Sequence, residues 1–455
     1  MAAIFSLSGI YRASPGGAPV NIQQASFAPL PPSEGDTVEV DDGQWSSNTP
    51  IDYTYQWQLG SVDIIGATLK TLLILPTMVG SSLRCVVTAT NLIGSSSSLT
   101  TNESVEPESQ IKRLILIGDS TTYGVGGTIS GTQSAGGANI NSPAQLIAKY
   151  FNEQNIQSSA KSFVGTGGNG SVSTAAEYYD GNPDMNIELN GWDQLDTNTI
   201  GGELFQGEPG SGILKFTISG VDKGAIGIPR RIYGICEYRV DGGDWIEVNQ
   251  NTNPDGSMER FDIDFGSVGT HTVEIQHKSG DTIYLNYVET WNSSDKLVVV
   301  PWGARGYGTG QLISTNRPWD YTPALSSVPF DAVLINIGIN DIRNGGYGIS
   351  EANYITRVKE YINSVRVANP NAKIILCIPN DISTGLSYIP SALTAIAIEE
   401  GVELIDARNG DGMASYGIAN ASGKMKDALH PSIDGYSAIY DYLSPLIKGF
   451  IYSQL

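Results

Sequence analysis

Apolar and polar positions change rhythm three times along the chain. From 36 to 105 they alternate in short runs, as in YTYQWQLG, TLLILPTM, SLRCVVTATN and SSSSLTTN, each bounded by turn residues. Period-two alternation of this length predicts half-buried strands packed as a β-sandwich. From 182 to 295 alternation returns in ILKFTISG, RIYGICEYRVDGGDW, RFDIDFG, THTVEIQH and TIYLNYVETW, with Asp-Gly-Gly supplying a hairpin turn. No helix is expected there, and the segment reads as a jelly-roll-type sandwich.

The flanking stretches behave differently. In 111–124, IKRLILIGDSTTYG, an unbroken apolar run ends on Gly118-Asp119-Ser120. Ser142-Pro143 then opens a helix carrying Leu146, Ile147, Tyr150 and Phe151 on one face, and SAKSFVGTGGNGS (160–171) reads as a further strand ending in a glycine loop. The same texture resumes with strands at 296–303 (KLVVVPWG), 330–338 (FDAVLINIG), 373–378 and 402–405. Helices are expected after Ser350, over 391–400 and over 432–450. Strands buried on both faces and alternating with helices predict a parallel sheet with right-handed crossovers. The fold class is therefore α/β. The expected divisions are an N-terminal linker (1–35), an all-β unit (36–106), an α/β domain (111–181 with 296–455), and a β-sandwich inserted into it (182–295).

In the first β unit, Trp57 followed by Cys85 on a later strand resembles an immunoglobulin-like domain, without the earlier cysteine of the usual pair. A spacer is the simplest role for it. The three cysteines, Cys85, Cys236 and Cys377, are far apart and odd in number, so neither a disulfide framework nor a zinc site is indicated.

Composition narrows the function. With 26 basic and 47 acidic residues, a net charge of −21, the chain lacks the clustered cations that a phosphate backbone needs, so nucleic acid is not an expected partner. No apolar run approaches membrane-spanning length, and no membrane partner is expected. The N-terminus, MAAIFSLSGIYR, lacks a basic n-region and a long apolar core, so a Sec signal is not expected.

The candidate chemistry lies where apolar runs stop. A strand closing on glycine and then serine is how α/β hydrolytic folds present a nucleophile at the carboxyl edge of the sheet. Ser120 needs a base, and His430 is one of only three histidines. It follows Asp427 by three residues, close enough for that carboxylate to orient the ring. His271 and His277, in the β insert, read as structural. Asn340, two residues after Gly338, ends a strand, and its side-chain N–H can face the same crevice as a donor to a developing oxyanion.

GDS at 118–120, GIND at 338–341 and DALHP at 427–431 resemble the first, third and fifth sequence blocks of the SGNH (GDSL-type) hydrolases. The resemblance covers 111–181 and 296–450. It implies a flavodoxin-like three-layer α/β/α fold and ester hydrolysis with no metal or cofactor. Ser120 would be nucleophile and first oxyanion donor, Asn340 a second donor, His430 the base and Asp427 its orienting acid. The glycine that completes the oxyanion hole is either Gly306, in PWGARGYGTG, or Gly168, in GTGGNG; Gly306 is preferred for its distance to the third block. Asp119, Trp302, Arg305 and Trp245 are expected to contact substrate.

Beside an esterase site, a jelly-roll resembles a carbohydrate-binding module, with Trp245, Trp291 and several tyrosines available either to stack on sugars or to pack in its core. The expected substrate is an acylated, most plausibly acetylated, polysaccharide such as a bacterial capsule or O-antigen. The competing reading is a non-catalytic glycan-binding adhesin or structural virion component, for which keeping all four site residues has no purpose. The spacer, the acidic surface and the absence of disulfides resemble phage tail-spike or tail-fibre esterases, with an exported bacterial enzyme as the alternative location. Other tail proteins and copies of the same chain are then the expected partners, although no coiled-coil heptads appear.

Overall fold

The computed structural model describes residues 17–28, 32, 37–78, 80–100, 103–104, 112–125, 140–164, 184–196, 203–230, 233–251, 257–304, 306–312, 320–342 and 348–452. The chain forms two compact units, Met1–Gln110 and Ile111–Leu455.

In the first unit, Asp52–Leu59 and Ser82–Thr90 pair antiparallel at the centre of a five-stranded sheet, with Trp57 opposite Cys85. A three-stranded sheet of Ser26–Ala28, Thr37–Asp41 and Thr71–Leu73 supplies further core residues. The alternation in Ser82–Thr90 buries Leu83, Cys85, Val87 and Ala89. Phe27 meets the fully buried Trp57 edge-on, with ring centroids 5.4 Å apart.

The second unit is built on a parallel sheet whose main strands are β1 (Lys112–Gly118), β2 (Leu297–Gly303), β3 (Ala332–Asn336), β4 (Lys373–Ile378) and β5 (Glu403–Asp406). Their spatial order is 2-1-3-4-5, with the two-residue strand Ser158–Ser159 beyond β2. The principal helices are α1 (Ser120–Tyr123), α2 (Pro143–Glu153), α3 (Glu351–Ala368), α4 (Ile389–Glu400) and α5 (Ile433–Tyr452). Strand side chains alternate between two cores. Leu114, Leu116, Val299 and Leu334 pack with Ile147 and Phe151 of α2 and Leu443 and Ile447 of α5. Ile115, Ile117, Val300 and Ile335 pack with Tyr354, Tyr361 and Val365 of α3 and Leu393 and Ile396 of α4. The result is three layers, α/β/α, as expected.

The β-rich segment between β1 and β2 folds as a seven-stranded and a three-stranded antiparallel sheet around a core that includes Phe205, Phe216, Ile226 and Val273. Its lower boundary differs from the sequence reading. Lys161–Val164, assigned to the α/β domain, pairs antiparallel with Tyr287–Trp291 in the seven-stranded sheet. The parallel sheet ends instead at Ser158–Ser159, whose partner is β2.

The β-rich sheet is fastened to β1. Glu289 is 1% exposed and binds Arg113 of β1 (Nε to Oε1, 3.1 Å) and Arg260 of the long strand Ser257–Ser279. Both guanidiniums lie over the Trp291 ring, 4.4 and 5.6 Å from its centroid. Burial alone would raise the Glu289 pKa, but the two arginines more than offset it and hold the carboxyl below its usual range.

Candidate active site

Gly118 is where β1 must turn. A β-carbon there would stand 2.0 Å from the Asn336 carbonyl oxygen and 2.2 Å from the Thr122 hydroxyl, so only glycine fits. Asp119 follows as the N-cap of α1. Its Oδ1 accepts from the Thr121 N–H (2.9 Å) and hydroxyl (2.8 Å). This short capped turn leaves Ser120 at the first helical position, at the carboxyl edge of the sheet.

The other end of the chain comes to it. His430 Nε2 lies 2.8 Å from Ser120 Oγ, and His430 Nδ1 lies 2.8 Å from Asp427 Oδ2. A carboxylate can only accept, so the Nδ1–H points at Asp427 and Nε2 is free to receive the serine proton. Asp427 Oδ1 also accepts from the backbone N–H groups of Leu429 (2.8 Å) and His430 (2.9 Å). Partial burial works to raise the Asp427 pKa. The bonds from His430 and Leu429 and the nearby imidazole outweigh it and depress the value to about 2. A carboxyl depressed in the folded state adds stability that is complete above its ordinary value of 3.8 and is lost as pH falls through about 2. Asp427 therefore stays ionised over the working range. Side-chain carboxyl NMR of the folded protein is expected to show it titrating near pH 2; a midpoint above 4 would contradict this geometry.

The loop of Asp427 and His430 is pinned by residues that follow β4. Asn380, 2% exposed, donates to the Leu429 carbonyl (3.0 Å), and the Ser383 N–H donates to the Ala428 carbonyl (3.0 Å). Tyr436 of α5 donates to the Val125 carbonyl (2.8 Å), tying the turn after the nucleophile to the helix after the histidine. None of these three contacts is visible in the sequence, since each joins residues distant along the chain. The one available signal is the position of Asn380 just past an apolar strand.

The three N–H groups that the family resemblance assigns to an oxyanion hole each keep a hydrogen with no acceptor among the described residues. The backbone N–H groups of Ser120 and Gly306 have no acceptor among the described residues. Asn340, 2% exposed, spends one Nδ2–H on the Tyr307 carbonyl (2.7 Å) and keeps the other. Gly306 has φ +77°, a conformation suited to glycine. Its loop starts at Ala304, whose N–H donates to the Gly118 carbonyl (2.9 Å), beside the nucleophile turn. Replacing Asn340 by Ala removes one donor and is expected to lower kcat about 10²- to 10³-fold with little change in KM. Steady-state kinetics on an acetyl ester would check it, and an unchanged kcat would exclude Asn340 from the reaction.

The remaining expected site residues fare differently. Gly168 and Arg305 lie outside the described residues. Trp302 is corrected. It is 1% exposed, packs edge-on against Tyr321 and cannot touch a substrate, because β2 is buried on both faces. Asp119 is likewise not a substrate contact. It is fully buried, and burial first of all lifts its pKa to about 6 despite the Thr121 bonds. Trp291 is 8% exposed, with the Arg113 and Arg260 guanidiniums over its ring, and offers no open stacking face. Trp245 is half-buried with the Arg239 guanidinium 4.5 Å above its ring, and no contact joins it to the triad among the described residues. His271, as read from the sequence, is structural. Its nitrogens meet Asp241 (2.7 Å) and the Ser267 carbonyl (2.8 Å), both acceptors, and its ring stacks on Phe265.

Residues 268–438 match the GDSL-like lipase/acylhydrolase family model. That span holds Asn340, Asp427 and His430 but not Ser120, which the β-rich segment separates from the rest. No curated protein matches the sequence. Among solved structures, a peptidoglycan O-acetylesterase is similar over 76% of this chain and 93% of its own, at 16% identity with a TM-score of 0.57. A family two carbohydrate esterase from Clostridium thermocellum in complex with cellohexaose covers 58% of this chain and 98% of its own, at 16% identity and a TM-score of 0.28. A family 3 carbohydrate esterase from Talaromyces cellulolyticus covers 36% and 76%, at 19% identity and 0.29. The chain shares its fold with that peptidoglycan O-acetylesterase.

Proposed function

We propose that the chain is a GDSL-type serine esterase that removes O-acyl groups, chiefly acetyl, from a polysaccharide. The observation that carries the reading is the unbroken path from Asp427 through His430 to the Ser120 hydroxyl.

The reaction follows from that path. Ser120 Oγ attacks the ester carbonyl while His430 Nε2 takes its proton. Negative charge on the carbonyl oxygen is met by the Ser120, Gly306 and Asn340 N–H groups. The carbonyl–sugar oxygen bond then breaks, and His430 returns the proton to the departing hydroxyl. A water gives its proton to His430, attacks the acyl-serine and releases the carboxylic acid, and the histidine proton goes back to Ser120.

Support for a sugar-borne ester comes from the similarity in fold to a peptidoglycan O-acetylesterase and from the β-rich module set into the catalytic domain. The buried Trp291 removes one aromatic from that argument, and the polysaccharide reading rests on the module as a whole. The net charge of −21 and the separate N-terminal β unit favour an extracellular or phage-tail setting over a nucleic-acid or membrane role. A panel of acetylated polysaccharides, followed by proton NMR for acetate, tests the substrate. Acetate release is expected from at least one, with Ser120 labelled by a fluorophosphonate probe. A protein inert to the probe would leave only a glycan binder.

A further inference from the structure

The loop that carries Gly306 is held at two points by adjacent side chains beyond the end of β3. Asn340 takes the Tyr307 carbonyl. Asp341 takes Thr309: its two carboxylate oxygens accept from the Thr309 N–H at 3.1 and 3.0 Å, and Oδ1 accepts from the Thr309 hydroxyl at 2.8 Å. Asp341 is fully buried and Thr309 is 1% exposed. A carboxylate is expensive to bury, and burial pushes its pKa up against the Thr309 bonds and the Arg357 charge. Placing one here needs a reason beyond packing, since a neutral side chain would cost less.

We propose that Asp341 is a positioning residue for catalysis, which through Thr309 fixes the backbone of 306–309 so that the Gly306 N–H meets the developing oxyanion. The inference rests on the esterase reading and deepens it. Asp341 does not touch the substrate. Its two oxygens accept a backbone N–H and a side-chain O–H of one residue, so Thr309 is held against both sliding and rotation. Thr309 lies three residues after Gly306 and begins the short helix Thr309–Leu312. Upstream, the Ala304 N–H donates to the Gly118 carbonyl (2.9 Å) and the Tyr307 N–H to the Ala304 carbonyl (3.4 Å), so Gly306 sits between residues 304 and 307, each of them anchored, and the Thr309 clamp holds the downstream end of that turn. An oxyanion donor contributes through fixed direction, so loosening the loop lowers transition-state binding while ground-state binding stays.

The test is Asp341→Asn in the full chain, with p-nitrophenyl acetate as substrate and phenylboronic acid as a mimic of the tetrahedral adduct. Asparagine keeps the size but turns an N–H₂ toward the Thr309 donors. The expected result is a kcat lowered about 10- to 100-fold, KM within about twofold, and boronate affinity weakened in proportion to kcat. Thr309→Val, which removes the hydroxyl, is expected to slow kcat by a smaller factor, and Thr309→Ser to restore it. A folded Asp341→Asn protein with wild-type kcat and boronate affinity overturns the proposal, as does a loss confined to KM. Should Asp341→Asn fail to fold, the Thr309 pair decides, and Thr309→Val equal to wild type overturns it. Ser120→Ala separates the two levels. Undiminished turnover in that variant removes the esterase reading, whereas an inert Ser120→Ala beside an unaffected Asp341→Asn removes only the clamp.

Discussion

Ser120→Ala and His430→Ala are each expected to lose about 10⁴- to 10⁶-fold in kcat for ester hydrolysis while keeping their fold. The serine hydroxyl is ordinarily too poor a nucleophile at neutral pH, and the 2.8 Å contact to His430 Nε2 is what allows its proton to leave as it attacks. Removing either partner removes the same step, so the double variant should be little worse than either single one. Ser120 is 8% exposed, and losing its hydroxyl opens no large cavity, so the unfolding midpoint should move little. Stopped assays with p-nitrophenyl acetate, and acetate release from an acetylated glycan, would measure the loss. Independent, multiplicative losses in the double variant would mean that Ser120 and His430 do not act as one unit.

Glu289→Ala is expected to destabilise the second unit by about 3–5 kcal/mol. The carboxylate is the shared partner of two guanidiniums that are themselves about one-tenth exposed; without it Arg260 keeps only the exposed Asp262 carboxylate and Arg113 has no carboxylate partner among the described residues. That is a large share of a stability of about 5–15 kcal/mol. Arg113 belongs to β1, so the loss should also loosen the strand that carries the nucleophile. Replacing Glu289, Arg113 and Arg260 together by apolar side chains of similar volume should recover most of the loss, because the ionic group contributes specificity more than net stability. Urea unfolding of the full-length variants at constant slope would show it. A Glu289→Ala midpoint within experimental error of wild type would mean that the arginines find other partners.

Much of the second unit was legible in order. The strands at Lys373–Ile378 and Glu403–Asp406, the helix capped by Ser350 and the helix opened by Ser142-Pro143 lie where the apolar rhythm put them. So do the four side chains of the proposed chemistry. Ser120 and Asn340 stand just beyond apolar strands, and His430 shares a short turn with Asp427, which local spacing displays. Lys161–Val164 was misassigned because a four-residue strand does not announce its partner. Alternation says that a face is half-buried, not which sheet covers it. Trp302 was expected to contact substrate, and Trp291 could either stack on a sugar or pack in a core, because an aromatic residue has both uses. Only the packing of Tyr321 against one and of two arginines against the other shows which use is made.

What a linear chain can state is what neighbours within a few residues dictate: the period of burial, the glycine that a tight bend demands, the acid three residues before its histidine. It could place Ser120 and His430 at the ends of elements, and a family resemblance could pair them. A separation of 310 positions became 2.8 Å only because the loop before α5 returns to the end of β1, held by Asn380 on the Leu429 carbonyl and by Tyr436 on the Val125 carbonyl. The same holds for Asn380, Asp341 and Thr309. Each matters through one hydrogen bond or a few to a distant part of the chain, and such bonds leave no periodic trace, because nothing local in the chain requires them.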